Sequence, residues 1–222
     1  MNLWNEFKTN NHKVIHKWTQ YFNVYEKILA DYKNKNINVL EIGVLDGGSL
    51  ELWHRYFGPQ ALIVGIDNHA QPNSKGLQFD SPMIQFRQGD QSDTNFLESL
   101  VKEFGEFDII IDDGSHICDH VIASFKALYP SVTKNGMYII EDTHTSYWGS
   151  HKGGLKLPSS TIEFAKELID ELNAPHTRVL PSTPFTEQTS SITFYDSMIV
   201  FNKGGNRWKH PVSSDNNTER WK

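Results

Sequence analysis

The chain of 222 residues carries a single cysteine, Cys118, so it cannot close an internal disulfide. It has no run of apolar residues long enough for a transmembrane helix, and its N-terminal MNLWNEFKTNNHK lacks the apolar stretch of a secretory signal. An excess of basic charge is also missing: 21 Lys and Arg stand against 27 Asp and Glu, for a net charge of -6. That balance argues against nucleic acid or a membrane surface as partner, leaving a small molecule and a cytoplasmic location as the expectation. Internal repeats and low-complexity blocks are absent. So are the G-x-G-x-x-G spacing of dinucleotide enzymes and the Tyr-x-x-x-Lys pair of sugar oxidoreductases. The sequence leaves the oligomeric state open, a homo-oligomer included.

What is present suffices for one large core, with 38% hydrophobic and 12% aromatic residues. A helical rhythm over His16 to Tyr32 predicts a covering helix, with Trp18, Tyr21 and Tyr25 as a core stripe. Short apolar runs then alternate with helical segments. Strands are predicted at 37–44, 61–67, 83–90, 107–113 and 136–142. Helices are predicted at 49–57 with Ser49 as N-cap, and at 94–105, 120–132 and 160–173. SSITFYDSMIVFNKG reads as a closing antiparallel hairpin with Tyr195 and Asp196 near its turn. The expected organisation is a helical cover over 1–35, one α/β domain with a parallel doubly wound sheet over 36–205, and a polar loose tail over 206–222. Ligands of such sheets bind beyond the carboxyl ends of the strands.

The chemistry-bearing residues cluster at those ends. Val39 to Leu50 places Gly43, Gly47 and Gly48 in the first strand-to-helix turn, where glycine permits tight backbone and close ligand approach. Asp67 closes the second strand and Asp90 the third, positions suited to the hydroxyls of a nucleoside. FDIIIDDGSHICDH and GMYIIEDTHTSYW each end an apolar run in two adjacent carboxylates followed by a histidine. Four acids, Asp112, Asp113, Glu141 and Asp142, at neighbouring strand ends repel one another unless a cation sits among them. Carboxylates without a thiolate form a hard oxygen site suited to Mg²⁺ and tolerant of Mn²⁺ or Ca²⁺. His116, three residues after Asp113, is placed to act as a general base near neutral pH. Duller roles compete: the acids as helix N-caps, His116 as a structural hydrogen-bonding group, His120 as a packing or supporting group, and Cys118 as a buried inert thiol.

The strings EIGVLDGGSLELW, GID, QGDQSD, IIIDDGSH and IIEDTHTSYW resemble the metal-dependent class I S-adenosylmethionine O-methyltransferases that act on sugar hydroxyls, with cephalosporin-hydroxylase-like proteins as relatives. The resemblance runs from about Tyr21 to Gly205. It implies a Rossmann-like seven-strand sheet with an antiparallel last strand. It also implies Asp113, Glu141 and Asp142 as metal ligands, with His116 as base. S-adenosylmethionine would be held by the loop from Glu41 to Ser49 with Gly43 and Gly47, by Asp67 at the ribose, and by Asp90 and Gln91 on the adenine side. Tyr25 and Asp112 are assigned to the same cofactor. His144, Tyr147 and Trp148, on the loop after the second acidic pair, are expected to stack on a sugar-containing acceptor.

Three other readings stay open. A catechol-type small-molecule O-methyltransferase shares fold and metal, an NAD-dependent sugar oxidoreductase or epimerase shares the sheet, and a noncatalytic nucleoside- or metal-binding module needs only the pocket.

Overall fold

In the computed structural model, residues 2–11, 13–69 and 77–204 are described in full, and 213–215 and 218–220 as backbone. Seven strands form one sheet: β1 Asn38–Ile42, β2 Leu62–Asp67, β3 Ile84–Gln88, β4 Phe107–Asp112, β5 Val132–Ile140, β6 Thr189–Tyr195 and β7 Met198–Lys203. Their order is β3-β2-β1-β4-β5-β7-β6. β1 to β5 are parallel, while β7 runs antiparallel to both β5 and β6. The hairpin predicted at the end of the sheet is therefore present, turning at Asp196 and Ser197.

The helices are α1 Leu3–Lys8, α2 Thr19–Leu29, α3 Gly48–Phe57, α4 Thr94–Phe104, α5 Cys118–Leu128 and α6 Thr161–Leu172, followed by the short α7 Ala174–Thr177 and α8 Pro184–Gln188. Within the stretch expected to be a loose tail, β8 Ser213–Asp215 pairs with β9 Thr218–Arg220; the rest of 205–222 lies outside the described residues.

Pleat parity divides the core, because successive strand residues face opposite sides. Val39, Ile63, Ile109, Ile111 and Ile139 pack with Tyr21 and Tyr25 of α2 and Leu50 and Trp53 of α3. Leu40, Val64, Ile110, Tyr138 and Ile140 pack with Leu97 of α4, Val121 and Phe125 of α5, and Leu168 of α6. Burial on both faces explains why these strands read as nearly unbroken apolar runs. The first 35 residues contribute Leu3, Phe22 and Leu29 to the first of these layers.

Three local expectations are corrected. α2 begins at Thr19, and Trp18 precedes it at 47% exposure, so it is no part of the buried stripe that Tyr21, Phe22, Tyr25 and Leu29 form. Ser49 does not cap α3. The cap is Gly47, in a left-handed conformation at φ 81°, and the Ser49 hydroxyl donates to Glu41 Oε2 at 2.5 Å. α5 starts at Cys118 and ends at Leu128, two residues before Pro130.

Candidate active site

A cavity of about 390 Å³ opens beyond the carboxyl ends of β1, β2 and β4, at the point where strand order reverses. Its walls include Gly43, Ser49, Asp67, Asp90 and Gln91, and its far end holds Asp113, His116, Glu141 and Asp142. The size lies within the usual range for small-molecule sites. Gly43 is indispensable to its shape: φ is 83°, and a Cβ there would lie 2.1 Å from the Asp113 carbonyl oxygen. The absent side chain lets the turn after β1 meet the turn after β4. One Asp67 carboxylate oxygen accepts the amides of Val44 (3.1 Å) and Leu45 (3.2 Å), holding that turn open toward the cavity. Asp90 is tied to the Ser92 amide (2.8 Å), which with the Ser92 hydroxyl keeps its carboxyl below the ordinary range.

Register and parity sort the acids. Glu41 pairs with Ile111, and Asp112 with Ile140, so Asp113 and Glu141 follow side by side. Glu41, Asp113 and Glu141 share the face covered by α2 and α3, whereas Asp112 faces the opposite layer. There Asp112 accepts from Ser124 (2.6 Å), Tyr138 (2.9 Å) and Gln91 (3.0 Å), and burial raises its pKa against those bonds. The expectation of Asp112 at the cofactor is thus corrected: it is 1% exposed and does not line the cavity. Its role is indirect, because Gln91 also accepts the Ser115 amide (2.6 Å) and so holds the turn carrying Asp113 and His116.

His116 and Asp142 both adopt left-handed backbone, at φ 57° and 52°. Such conformations cost about 1–3 kcal/mol each and persist where the surroundings impose them. The result is convergence. His116 Nε2 lies 3.8 Å from Asp113 Oδ1 and 3.7 Å from Asp142 Oδ2, and one donor atom from each residue falls within a 4.8 Å group. The imidazole is too far from either carboxylate for a hydrogen bond, and the two carboxylates are close enough to share a divalent cation beside it. The donor set therefore fits a hard metal ion. Burial lowers the His116 pKa, outweighing the pull of Asp142, so its imidazole is neutral at pH 7.

Glu141 sits differently. It is 3% exposed, and its Oε1 accepts from the Tyr25 hydroxyl and from the Lys17 ammonium at 2.7 Å. Lys17 also contacts Asp113 Oδ2 at 2.6 Å and Glu41 Oε1 at 3.3 Å. A cation among the strand-end acids is therefore present as a side chain, paired with two of the four expected acids, Asp113 and Glu141, and with Glu41. Burial works against the Lys17 charge, but Asp113, Glu141 and Glu41 outweigh it and raise its pKa well above the ordinary lysine value. Burial also raises the pKa values of Asp113 and Glu141, against the pull of that ammonium.

Glu41, Gly47 and Tyr25, all expected at the cofactor, stand behind the cavity lining. Glu41 is bonded to Ser49, Trp53 (3.1 Å) and Lys17; Tyr25 packs edge-on against Trp53 and supports Glu141. Asp142 is fixed by Tyr21, whose hydroxyl donates to Oδ1 at 2.6 Å. Sequence reasoning placed Tyr21 in the core and missed this polar end, and missed Lys17 altogether.

His144, Tyr147 and Trp148 do not line the cavity either. They lie next to its mouth, where Trp18, His144, Trp148 and His151 form an edge-on chain with ring centroids 5.3, 4.8 and 5.6 Å apart. His144 is tethered to Ser197, and Tyr147 and Trp148 are each 48% exposed. His120 contacts Ser115 at 3.1 Å, and Cys118 is buried.

A mixed sheet of this strand order, with a cavity at the β1/β4 switch point, is the class I methyltransferase fold. Comparison with known proteins narrows this further. No protein-family model matches the chain. It is 38% identical over 170 residues to the mycinamicin VI 2''-O-methyltransferase of Micromonospora griseorubida, covering 72% of this chain and 40% of that protein. It is 32% identical over 203 residues to the 8-demethyl-8-alpha-L-rhamnosyl tetracenomycin-C 2'-O-methyltransferase of Streptomyces olivaceus, covering 86% of this chain and 51% of the relative. The chain thus spans about half the length of the curated relatives it matches. The solved structure of MycE methyltransferase from the mycinamycin pathway, in complex with Mg, SAH and mycinamycin VI, superposes with a TM-score of 0.76 at 33% identity. That match covers 93% of this chain and 53% of the other. A caffeoyl-CoA O-methyltransferase-like protein of Staphylococcus aureus, at TM-score 0.55 and 14% identity, shares the fold. The chain is a homologue of sugar O-methyltransferases from antibiotic pathways.

Proposed function

We propose that this chain is an O-methyltransferase that moves the methyl group of S-adenosylmethionine to a sugar hydroxyl of a glycosylated small molecule, nucleotide-sugar or glycan, with Mg²⁺ or Mn²⁺ at the strand-end acids. The observation that carries this reading is the adjacency of two features: a cavity lined by Gly43, Ser49, Asp67 and Asp90, and the converging Asp113, His116 and Asp142 at its end. Homology to enzymes named for sugar O-methylation supports the acceptor class.

Asp67 and Asp90 offer carboxylates to nucleoside hydroxyls, and the turn at Gly43 admits the cofactor's chain close to the backbone. Asp113 and Asp142, with Glu141 behind them, would hold the metal, which when bound supplies positive charge that acidifies and positions an acceptor hydroxyl. His116 is neutral and half-sheltered, so its Nε2 takes the hydroxyl proton as the oxygen attacks the methyl carbon. Tyr21 keeps Asp142 in its rotamer, and the Gln91 contact keeps the His116 turn in place. Trp18 and Trp148 offer apolar ring surface to a pyranose beside the site. Alignment of oxygen, methyl carbon and sulfur then contributes much of the rate.

Mass spectrometry of products from a panel of glycosylated metabolites and nucleotide-sugars, incubated with S-adenosylmethionine and Mg²⁺, tests the proposal. One added methyl group on the sugar is expected. Methylation confined to catechols would favour the catechol-type alternative. Binding of NAD in place of the sulfonium nucleoside would favour the oxidoreductase.

A further inference from the structure

Lys17 lies on residues 13–18, which precede α2 without regular secondary structure and form one wall of the cavity through Val14, Ile15, His16, Lys17 and Trp18. Its ammonium is 3% exposed and bridges Asp113 Oδ2 and Glu141 Oε1, the two acids that register places side by side. A divalent ion bound to that pair would sit about 2.1 Å from each oxygen, inside the space the ammonium fills. Two cations cannot share those oxygens without strong repulsion. The strap is held by few polar ties, the Val14 amide reaching Asp46 at 3.3 Å and Lys13 reaching the Gln78 carbonyl at 2.7 Å and Glu51 at 3.5 Å, while Ile15 packs on the core and the Lys13 and Val14 carbonyls lie against Gly48.

Resting on the metal-dependent reading above, we propose that Lys17 is a displaceable internal cation: it bridges Glu41, Asp113 and Glu141 in the metal-free chain, and a divalent ion ejects it together with the strap. Metal loading and opening of the cavity wall are then one event. The acid cluster keeps a cation in both states, and the strap's ties to Asp46, Gln78 and Glu51, together with the packing of Ile15 on the core, are the contacts released.

The test is amine acylation of the wild-type chain, read by peptide mass spectrometry with and without Mg²⁺, at ionic strength matched with NaCl. Lys17 should be protected without Mg²⁺ and label at least tenfold faster at saturation, while Lys203, whose ammonium donates to the Pro130 carbonyl far from the site, stays unchanged. In parallel, calorimetry should show Lys17→Met binding Mg²⁺ at least tenfold more tightly than wild type. If Mg²⁺ raises the melting temperature while Lys17 stays protected, the ion sits at Asp113, His116 and Asp142 beside the lysine. Displacement is then refuted, and metal dependence stands. Equal or weaker binding by Lys17→Met also refutes displacement. Should that variant not fold, the wild-type labelling decides alone. If Mg²⁺ binds neither wild type nor variant, the metal-dependent reading fails, and this one with it.

Discussion

Gly43→Ala is the sharpest structural perturbation of the site. The new methyl group would lie 2.1 Å from the Asp113 carbonyl oxygen and 2.6 Å from Gly114 Cα, both backbone atoms that no rotamer change can move. The residue must also keep φ at 83°, which costs an alanine about 1–2 kcal/mol. Forcing apart the turns after β1 and β4 adds about 1–3 kcal/mol, as overpacking generally does. Together these give a loss of about 2–5 kcal/mol. For a chain of this size that corresponds to a drop in melting temperature of about 4–20 °C. Urea unfolding should show the same loss with an unchanged slope. Because the displaced atoms belong to Asp113 and Gly114, affinity for S-adenosylhomocysteine and Mg²⁺ should fall as well. A variant melting within 2 °C of wild type and binding both ligands normally would refute the argument that glycine at 43 sets the shape of the cavity.

Further outcomes are expected. His116→Gln should lower turnover by about 10²-fold or more while leaving cofactor affinity near wild type, as loss of a general base does. In the wild type, burial holds the His116 pKa below its ordinary 6.5, so the imidazole stays neutral as pH falls toward that value. The acid limb of the rate profile should therefore lie below 6.5, and a limb above it would contradict this role. Asp112→Asn turns one acceptor into a donor facing Ser124, Tyr138 and Gln91, and should lower stability by about 1–3 kcal/mol in urea unfolding. Trp18→Ala should raise KM for glycosylated acceptors several-fold in steady-state assays with little change in cofactor affinity. Chelation should abolish methyl transfer, and Mg²⁺ should restore it.

Much of this arrangement is legible in the chain. Buried parallel strands read as apolar runs, and the acids that end them mark the ligand edge, so Asp67, Asp90, Asp113, Glu141 and Asp142 could be placed from pattern alone. The roles within each adjacent pair could not, because they depend on pleat parity. Counting from Ile111, Asp112 faces α5 and Asp113 faces α2, which separates a buried acceptor from a group at the cavity. Applied to the sequence, that parity would have grouped Glu41, Asp113 and Glu141 on one face. Ser49 was misread because its hydroxyl had a competing partner, the Glu41 carboxylate, that local capping rules do not see. Lys17 left no local signal. It precedes the helical rhythm, and its partners lie 24, 96 and 124 residues away.

The most direct test of the central claim is a crystal grown with S-adenosylhomocysteine and Mn²⁺, examined by anomalous diffraction at the manganese edge. The account predicts the nucleoside in the cavity between Gly43, Asp67 and Asp90, and a single anomalous peak about 2.1–2.3 Å from a carboxylate oxygen of Asp113. A nucleoside bound elsewhere, or a cavity holding it with no manganese at the Asp113 carboxylate, would contradict the account.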